Sequence, residues 1–478
     1  MPEVIELAPP GVQTGLSVLG NCRARPRTRG TYFIGLGGSG MRALATVMAG
    51  RDGYVRGSER SVSSRRQLCR LGWHVAADAD AVQLPPDCQM VVYSDAVPED
   101  HPQRLAARSL RIPQHSYART LGRWMSQRQG LAVAGTHGKS TITAMAAQIL
   151  TTAGQDPSFV CGAGPVAGSQ TGGQAGAGPV FLAEACEYRK NFLHLHPHAA
   201  VVSGIEPDHF ETYDTMDQLR QSFSDFVQQI DPRGLLVLRR GCRAAREMKR
   251  TARCRVETYG LSGRADWRAV RIAGESGRYV FAIKYRDLLI GRVRLQTPGR
   301  HNVLNALAAA ALAHCGGARS ADITRGLSEF RGLRRRLQPL GTCRGVHLWD
   351  DFAHHPTAVA AALLTLREIY PKSRLWCVFQ PHQASRTARL MDEFARQLQN
   401  ADVVAVASIY RAREGRWRQG EPTAADLARA VRAQGTPTLR CHAIEAIQRQ
   451  LTCCPGDVLV TLGAGNISRL HHAFTDRI

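Results

Sequence analysis

The chain has 478 residues, 44% of them hydrophobic and 21% charged, with a formal net charge of +23. That length predicts two to four domains of ordinary soluble composition, and no apolar run approaches a membrane span. Thirteen scattered cysteines without a Cys-x-x-Cys argue against a disulfide framework or zinc site and for a reducing cytoplasm. The basic balance does not point to nucleic acid, because the arginines are dispersed and aromatics make up only 6%, leaving no stacking platform for bases.

The opening MPEVIELAPPG carries acid and proline instead of the basic head and apolar run of a secretory signal. Residues 1–30 read as a disordered tail, with Arg23-Ala24-Arg25-Pro26-Arg27 basic and broken by proline. A strand over Tyr32–Ile34 then enters Gly35-Leu36-Gly37-Gly38-Ser39-Gly40, followed by a helix. These glycines permit a tight turn and bring a pyrophosphate close to the helix N-terminus. Glu59 follows at the distance where an acid bonds a ribose hydroxyl. Taken alone, this loop describes a nicotinamide-dependent dehydrogenase. Strands expected at Trp73–Val75, Met90–Ser94 and near Ile112-Pro113 extend it into a doubly wound parallel sheet. Arg119–Gln129 reads as a polar linking helix.

The stretch Leu131–Leu150, LAVAGTHGKSTITAMAAQIL, predicts a buried strand over Leu131–Ala134, a tight turn over Gly135–Gly138 and a helix opening at Lys139. Such a turn aims backbone N–H groups and the positive end of the helix dipole at one spot. The Lys139 ammonium suits the outer phosphates of a nucleotide there, and the Ser140 hydroxyl suits the Mg²⁺ beside them. The general phosphate-loop spacing wants glycine where Val133 stands. Cys161–Gly178 is glycine-rich and reads as a mobile, substrate-facing loop. Strands at Val180–Ala183 and Ala199–Val202 end in Glu184-Ala185-Cys186-Glu187 and Glu206-Pro207-Asp208-His209, acids well placed to hold Mg²⁺ on ATP. Short strand-like pieces follow at Leu235–Leu238, Tyr279–Ile283 and Val293–Leu295. Asn302 and Asn305 stand one turn apart at the start of an alanine-rich helix, facing one ligand, or else Asn302 caps that helix. The arginine run in FRGLRRRL is either a solvated turn or a fork aimed at phosphate.

A third unit opens with a strand ending at Asp350-Asp351, then His354-His355-Pro356, where the proline starts a helix. Strands Leu375–Phe379, Val403–Val406 and Val458–Leu462 each end in a polar or glycine-rich loop, as ligand-binding strands of open α/β sheets do. Two anion cradles and three α/β units suit a scheme in which one unit holds a nucleotide-linked substrate and another MgATP. The third closes over both with a small amine, and ATP activates a carboxylate for attack.

GLGGSGM, GTHGKST, EACE, IEPDH, PGRHNVLNALAA, the G-x-x-R-R turn, DDFAHHP, QPH-x-x-SRT and Tyr410–Glu414 occur in the order seen in the Mur ligases, and the chain resembles that family from about residue 31 to 466. The resemblance implies three α/β domains. Residues 31–127 would form a Rossmann-like UDP-sugar-binding domain, 128–332 a phosphate-loop ATPase-type domain, and 333–478 a Rossmann-like domain that closes over ATP and the amino acid. It implies a cytoplasmic, ATP- and Mg²⁺-dependent ligase of peptidoglycan precursor synthesis. The motifs are most similar to members that join L-alanine to UDP-N-acetylmuramic acid. There the lactyl carboxylate takes the γ-phosphoryl of ATP, the amine attacks the acyl phosphate, and amide, ADP and phosphate leave.

By the same resemblance, Gly135, Thr136, His137, Gly138, Lys139, Ser140 and Thr141 would hold the phosphates of ATP. Lys139 would neutralise the transferring group. Ser140 and Glu184 would bind one Mg²⁺ and His209 a second. His301, Asn302 and Asn305 would hold adenine, with Arg336 and Asp351 reaching ATP from the next domain. Gly37, Gly38, Ser39 and Gly40 would cradle the UDP pyrophosphate beside Glu59. His355, His382 and Arg386 would line the amino-acid pocket, with Arg386 pairing the alanine carboxylate. Four positions depart from the usual motifs: Ser203-Gly204 for Thr-Asn, Gln383 for Arg, Glu211 for Asp, and Cys186 for the Asp of EADE. Three alternatives compete: a recycling ligase that attaches a murein peptide to the same sugar nucleotide, a dehydrogenase, and a basic nucleic-acid ATPase. Small molecules are the expected partners, with neither nucleic acid nor membrane, and the oligomeric state is left open.

Overall fold

A computed structural model of the chain describes residues 30–50, 53–78, 83–261, 263–412, 414–439 and 443–471. The tail expected to be disordered, apart from Gly30, and Arg413 of the Tyr410–Glu414 motif lie outside these residues. Three sheets organise the chain, one per α/β unit.

The first has five parallel strands, in the spatial order His74–Ala77, Arg56–Glu59, Thr31–Ile34, Met90–Tyr93 and Gln114–Ser116. The chain reverses direction across the sheet beside Thr31–Ile34, so the glycine loop sits at the switch point where such sheets bind ligands. The last strand starts beyond the expected Ile112-Pro113, because Pro113 has no N–H for a ladder and pairing begins at Gln114. The expected polar linker is the helix Tyr117–Ser126, capped by the Ser116 hydroxyl and burying Leu121, Trp124 and Met125. Gln129 already opens the next strand.

The middle sheet has ten strands, built around the parallel set Leu235–Arg239, Ala199–Val202, Gln129–Ala134 and Val180–Glu184. Its far edge is an antiparallel meander, Trp267–Glu275, Arg278–Tyr285 and Leu288–Arg294. The strand Trp267–Glu275 and its neighbour Arg255–Gly260 are not apparent from apolar runs, because charged residues alternate with the buried ones. The helices Lys139–Thr152, Arg300–Cys315 and Ser320–Glu329 pack together against the sheet. Ala306–Ala313 has no exposed residue, and such an all-apolar helix belongs inside the protein.

The Cys161–Gly178 loop touches the first unit: the Thr46 hydroxyl lies 3.0 Å from that of Thr171, and Gly173 packs against the backbone of Ala43, where a side chain would collide. The third sheet orders its strands Gln338–Cys343, Val346–Asp351, Val458–Leu462, Leu375–Phe379, Val403–Val406 and Thr438–Leu439, all parallel except the first. No helix among the described residues is long and apolar enough to cross a membrane.

Candidate active site

A cavity of about 920 Å³ opens where the three units meet. Ser39 of the first glycine loop, the phosphate loop from Thr136 to Thr141, Glu184, His209, His301, Asn302, Asn305, Arg336, Asp351 and His355 all line it.

The phosphate-loop turn depends on two glycines in left-handed geometry, Gly135 at φ +118° and Gly138 at φ +80°. A Cβ on Gly138 would lie 2.6 Å from Asn305 Oδ1, so only glycine fits there. No side chain caps the helix Lys139–Thr152, which leaves its first N–H groups for an anion. Lys139 Nζ donates to both oxygens of Glu187, at 3.0 and 2.9 Å, and to Gly135 O at 2.6 Å. Glu187 is 1% exposed. Burial opposes the lysine charge, but Glu187 outweighs it and raises the pKa. The Ser140 hydroxyl accepts from Arg336 at 3.0 Å, across the seam between middle and C-terminal units. Arg336 also lies over the Phe352 ring, 4.9 Å from its centroid. The Glu184 carboxylate accepts the Gly162 N–H.

The oxygens of Ser140 and Glu184 form a donor set suited to a hard cation such as Mg²⁺, with Lys139 and Arg336 available to neutralise phosphate charge. His209 stands elsewhere, 3.6 Å from Glu187 and 4.0 Å from Glu211, in a cluster with Cys186 and Glu187. The expected second ion would therefore meet a thiol and a carboxylate beside the imidazole.

Asn302 does not cap its helix; Gly299, at φ +98°, holds that position. Asn302 instead donates back to Pro298 O at 2.6 Å, and Asn305 donates to Asn302 Oδ1 at 2.9 Å, so the two amides form one unit beside the phosphate loop. Burial brings His301 down to about 4, leaving it neutral near pH 7. Asp351 is pushed up to about 6 by burial, against the pull of Arg336 and of the backbone N–H groups of Leu337 and Ala353.

Two of the expected binding residues are engaged within the protein itself. Each oxygen of Glu59 already accepts one backbone N–H, from Gly37 at 2.6 Å and Ser61 at 2.9 Å, so the ribose contact inferred from spacing would use the remaining lone pairs. Gly37 and Gly40 are also required for packing, since a Cβ would run into Glu59 at the first and lie 2.9 Å from the Tyr117 hydroxyl at the second. Arg386 is 2% exposed, and its guanidinium is spent on Asp208, at 2.9 and 2.6 Å, and on His382, at 3.0 Å. In this arrangement it presents no free fork to an amino-acid carboxylate. Gln383, at the position where the motif usually has arginine, donates to Glu211 at 3.1 Å. His382 stacks on Tyr410, and His355 faces His137. Glu187 and Asp208, expected among the acids for Mg²⁺, instead pair with Lys139 and Arg386, and Phe352, which the sequence does not single out, lies under Arg336.

Residues 31–129 match the Mur ligase family catalytic domain, 133–313 the Mur ligase middle domain, and 335–465 the Mur ligase glutamate ligase domain. The UDP-N-acetylmuramate–L-alanine ligase of Chromobacterium violaceum is 38% identical over 453 residues, covering 92% of this chain and 97% of its own. The chain belongs to the Mur ligase family. A second Mur ligase of the same description, from Desulfitobacterium hafniense, is 36% identical and covers 92% of this chain and 98% of its own. Among crystal structures, the UDP-N-acetylmuramate–alanine ligase of Thermotoga maritima superposes with a TM-score of 0.77 at 25% identity, over 94% of this chain and 98% of the other. The murein peptide ligase of Psychrobacter arcticus shares the fold at a TM-score of 0.69 and 22% identity, over 93% and 98%. Mur ligases are ATP-dependent ligases, in keeping with the phosphate loop at the centre of this cavity.

Proposed function

We propose that this Mur ligase joins L-alanine to the lactyl carboxylate of UDP-N-acetylmuramic acid, using ATP and Mg²⁺, in peptidoglycan precursor synthesis in the cytoplasm. The observation that carries the reading is the shared cavity, in which a glycine loop from the first unit, the Lys139 loop from the second and Arg336 from the third face one another. The proposed domains are 31–127, 128–332 and 333–478, one for each partner in the reaction.

Ser140 and Glu184 would hold a Mg²⁺ ion, whose role when bound is to neutralise phosphate charge. Lys139 and Arg336 supply positive charge to the phosphoryl group as it leaves ADP for the lactyl carboxylate. Asn302, Asn305 and neutral His301 orient adenine, and Asp351 meets the nucleotide from the closing domain. The loop Gly37–Gly40 and Glu59 hold the UDP portion. His355, His382 and Arg386 face the amino acid, with Arg386 free for its carboxylate once Asp208 lets go. Catalysis is then positioning plus charge stabilisation, with no covalent enzyme intermediate.

Phosphate release with UDP-N-acetylmuramic acid and MgATP tests this. Release should require an added amino acid and favour alanine over glycine, serine and a murein tripeptide. Preference for the tripeptide would indicate the recycling reaction, and release without any amino acid would contradict both. Neither that alternative nor the dehydrogenase is favoured, the latter because it leaves Lys139, Glu184 and Asp351 without a task.

A further inference from the structure

Apart from the groups assigned to magnesium, three side chains from three segments converge at the seam between the middle and C-terminal units. His137 comes from the phosphate loop, Glu206 from the segment after the strand Ala199–Val202, and His355 from the N-cap of the helix Pro356–Ile369. His137 Nε2 lies 3.1 Å from Glu206 Oε2, and His355 Nδ1 lies 3.7 Å from the same oxygen. One ligating atom from each of the three lies within 4.8 Å of the others. A tetrahedral zinc ion with bonds near 2.0–2.1 Å sets neighbouring ligand atoms about 3.4 Å apart. The two measured separations fall on either side of that figure.

The surroundings already prepare these atoms as ligands. His355 Nε2 lies 3.2 Å from Pro207 O. A carbonyl only accepts, so the ring proton is on Nε2 and Nδ1 is the acceptor; it takes the Thr357 N–H at 3.4 Å, a helix-cap contact that a bound ion would replace, with Glu206 Oε2 beside it at 3.7 Å. Thr357 fixes the carboxylate with a 2.6 Å hydrogen bond. Carbonyl and hydroxyl partners of this kind orient metal ligands from the second layer. His137, His355 and Thr357 line the cavity, which leaves the fourth position open to water or a substrate oxygen.

We propose that His137, Glu206 and His355 form a site for a zinc-class divalent ion that ties the C-terminal domain to the phosphate loop. Two imidazoles and one carboxylate select zinc, cobalt or nickel over Mg²⁺, which takes oxygen ligands. Occupancy fixes His355 against the middle domain and so holds the seam closed against the opening that product release requires.

The test uses the full-length protein, with Zn²⁺ as the probe and no turnover, so its outcome is independent of the ligase reading. Zn²⁺ affinity is read by competition with a chromophoric chelator, and ligation by zinc-edge X-ray absorption. Glu206→Gln should weaken binding by more than about 100-fold and Thr357→Val by about 10-fold, the range for lost supporting contacts, while Cys186→Ser leaves it unchanged. Thr357 is exposed, so its variant keeps the test valid if Glu206→Gln melts abnormally in the presence of a chelator. The absorption spectrum should show only nitrogen and oxygen ligands. A sulfur shell near 2.3 Å, or a loss of binding in Cys186→Ser, would assign the ion to the Cys186–Glu187–His209 cluster and overturn the proposal. Undiminished affinity in both Glu206→Gln and Thr357→Val, or no Zn²⁺ binding by the unmodified protein, would overturn it as well.

Discussion

Asp208 and Arg386 form the most buried ion pair across the seam, at 5% and 2% exposure, with both guanidinium bonds on Asp208 Oδ1. Asp208→Asn leaves a buried guanidinium without its counter-charge, which costs about 3–5 kcal/mol in pairs of this kind. Because the partners sit on different domains, the loss should appear first as opening of the seam. A cost of about 3 kcal/mol shifts the closed-to-open ratio by roughly 150-fold. Small-angle scattering should therefore give a larger radius of gyration for the variant, and urea unfolding of the C-terminal domain should begin earlier. Arg386→Met should behave similarly by stranding Asp208. The double variant, which strands neither charge, should lose less than the sum of the two by more than 1 kcal/mol, the range for groups in contact.

The pH dependence has a definite sign. Burial alone would raise Asp208, but His209 and Arg386 hold its carboxyl far below the ordinary value. A depressed carboxyl stabilises the fold fully above its unfolded pKa, and the benefit is lost as pH falls through the folded value. The gap between wild type and Asp208→Asn should then be flat from neutrality to about pH 5 and shrink only in stronger acid, below about pH 4. Additivity of the two single changes within about 0.5 kcal/mol, with unchanged scattering, would refute the reasoning.

Lys139→Met should lower the rate of phosphate release by about 100- to 1000-fold, as loss of a single charge-stabilising donor does. It should also lower Tm by stranding Glu187; adding Glu187→Gln should restore Tm without restoring activity, and recovery of activity would contradict the role of Lys139. For Asp351, burial raises the carboxyl to about 6, so its contribution to stability is complete below the unfolded value and is lost as pH rises through about 6. In nucleotide-free protein, the Tm advantage of wild type over Asp351→Asn should decline across that window, and a constant difference would contradict the assignment. Trp267 Nε1 and the Tyr285 hydroxyl each donate at 2.8 Å to Glu257, which is 2% exposed. Trp267→Phe should cost about 1–3 kcal/mol in urea unfolding through the unpaired carboxylate oxygen, and unchanged stability would show that Glu257 is solvated.

Parallel strands buried on both faces were legible, because their apolar runs are continuous and end at polar loops. Leu375–Phe379, Val403–Val406 and Val458–Leu462 occur with the bounds their residues suggest. Arg255–Gly260 and Trp267–Glu275 were not, since their exposed faces carry charges that interrupt any run. At the site, Lys139, Ser140 and Glu184 could be read from local spacing, because a strand, a turn and a helix dictate where they point. The partners of Arg386 and Glu59 could not, because each pairing joins segments far apart in the chain or competes with a backbone donor, and residue spacing carries no record of either.

The segment Ile205–Asp214 shows why. Its acids look like magnesium ligands when read as a strand end beside a phosphate loop. In the folded protein most of its polar groups reach across the seam instead. Glu206 accepts from Thr357, Pro207 O from His355, Asp208 from Arg386, Glu211 from Gln383 and Asp214 O from Arg389, whose guanidinium also covers the Phe210 ring. His209 and Tyr213 turn back toward Glu187, and Glu206 also meets His137 and Thr136 of the phosphate loop. One short stretch thus couples the ATP loop to the domain that must close over it, and a ligand that draws Arg386 or His355 away alters closure and nucleotide geometry together. On the proposed pairing of Arg386 with the amino-acid carboxylate, selectivity would turn on whether that carboxylate outcompetes Asp208, a contest that Gln383, lacking charge, does not relieve.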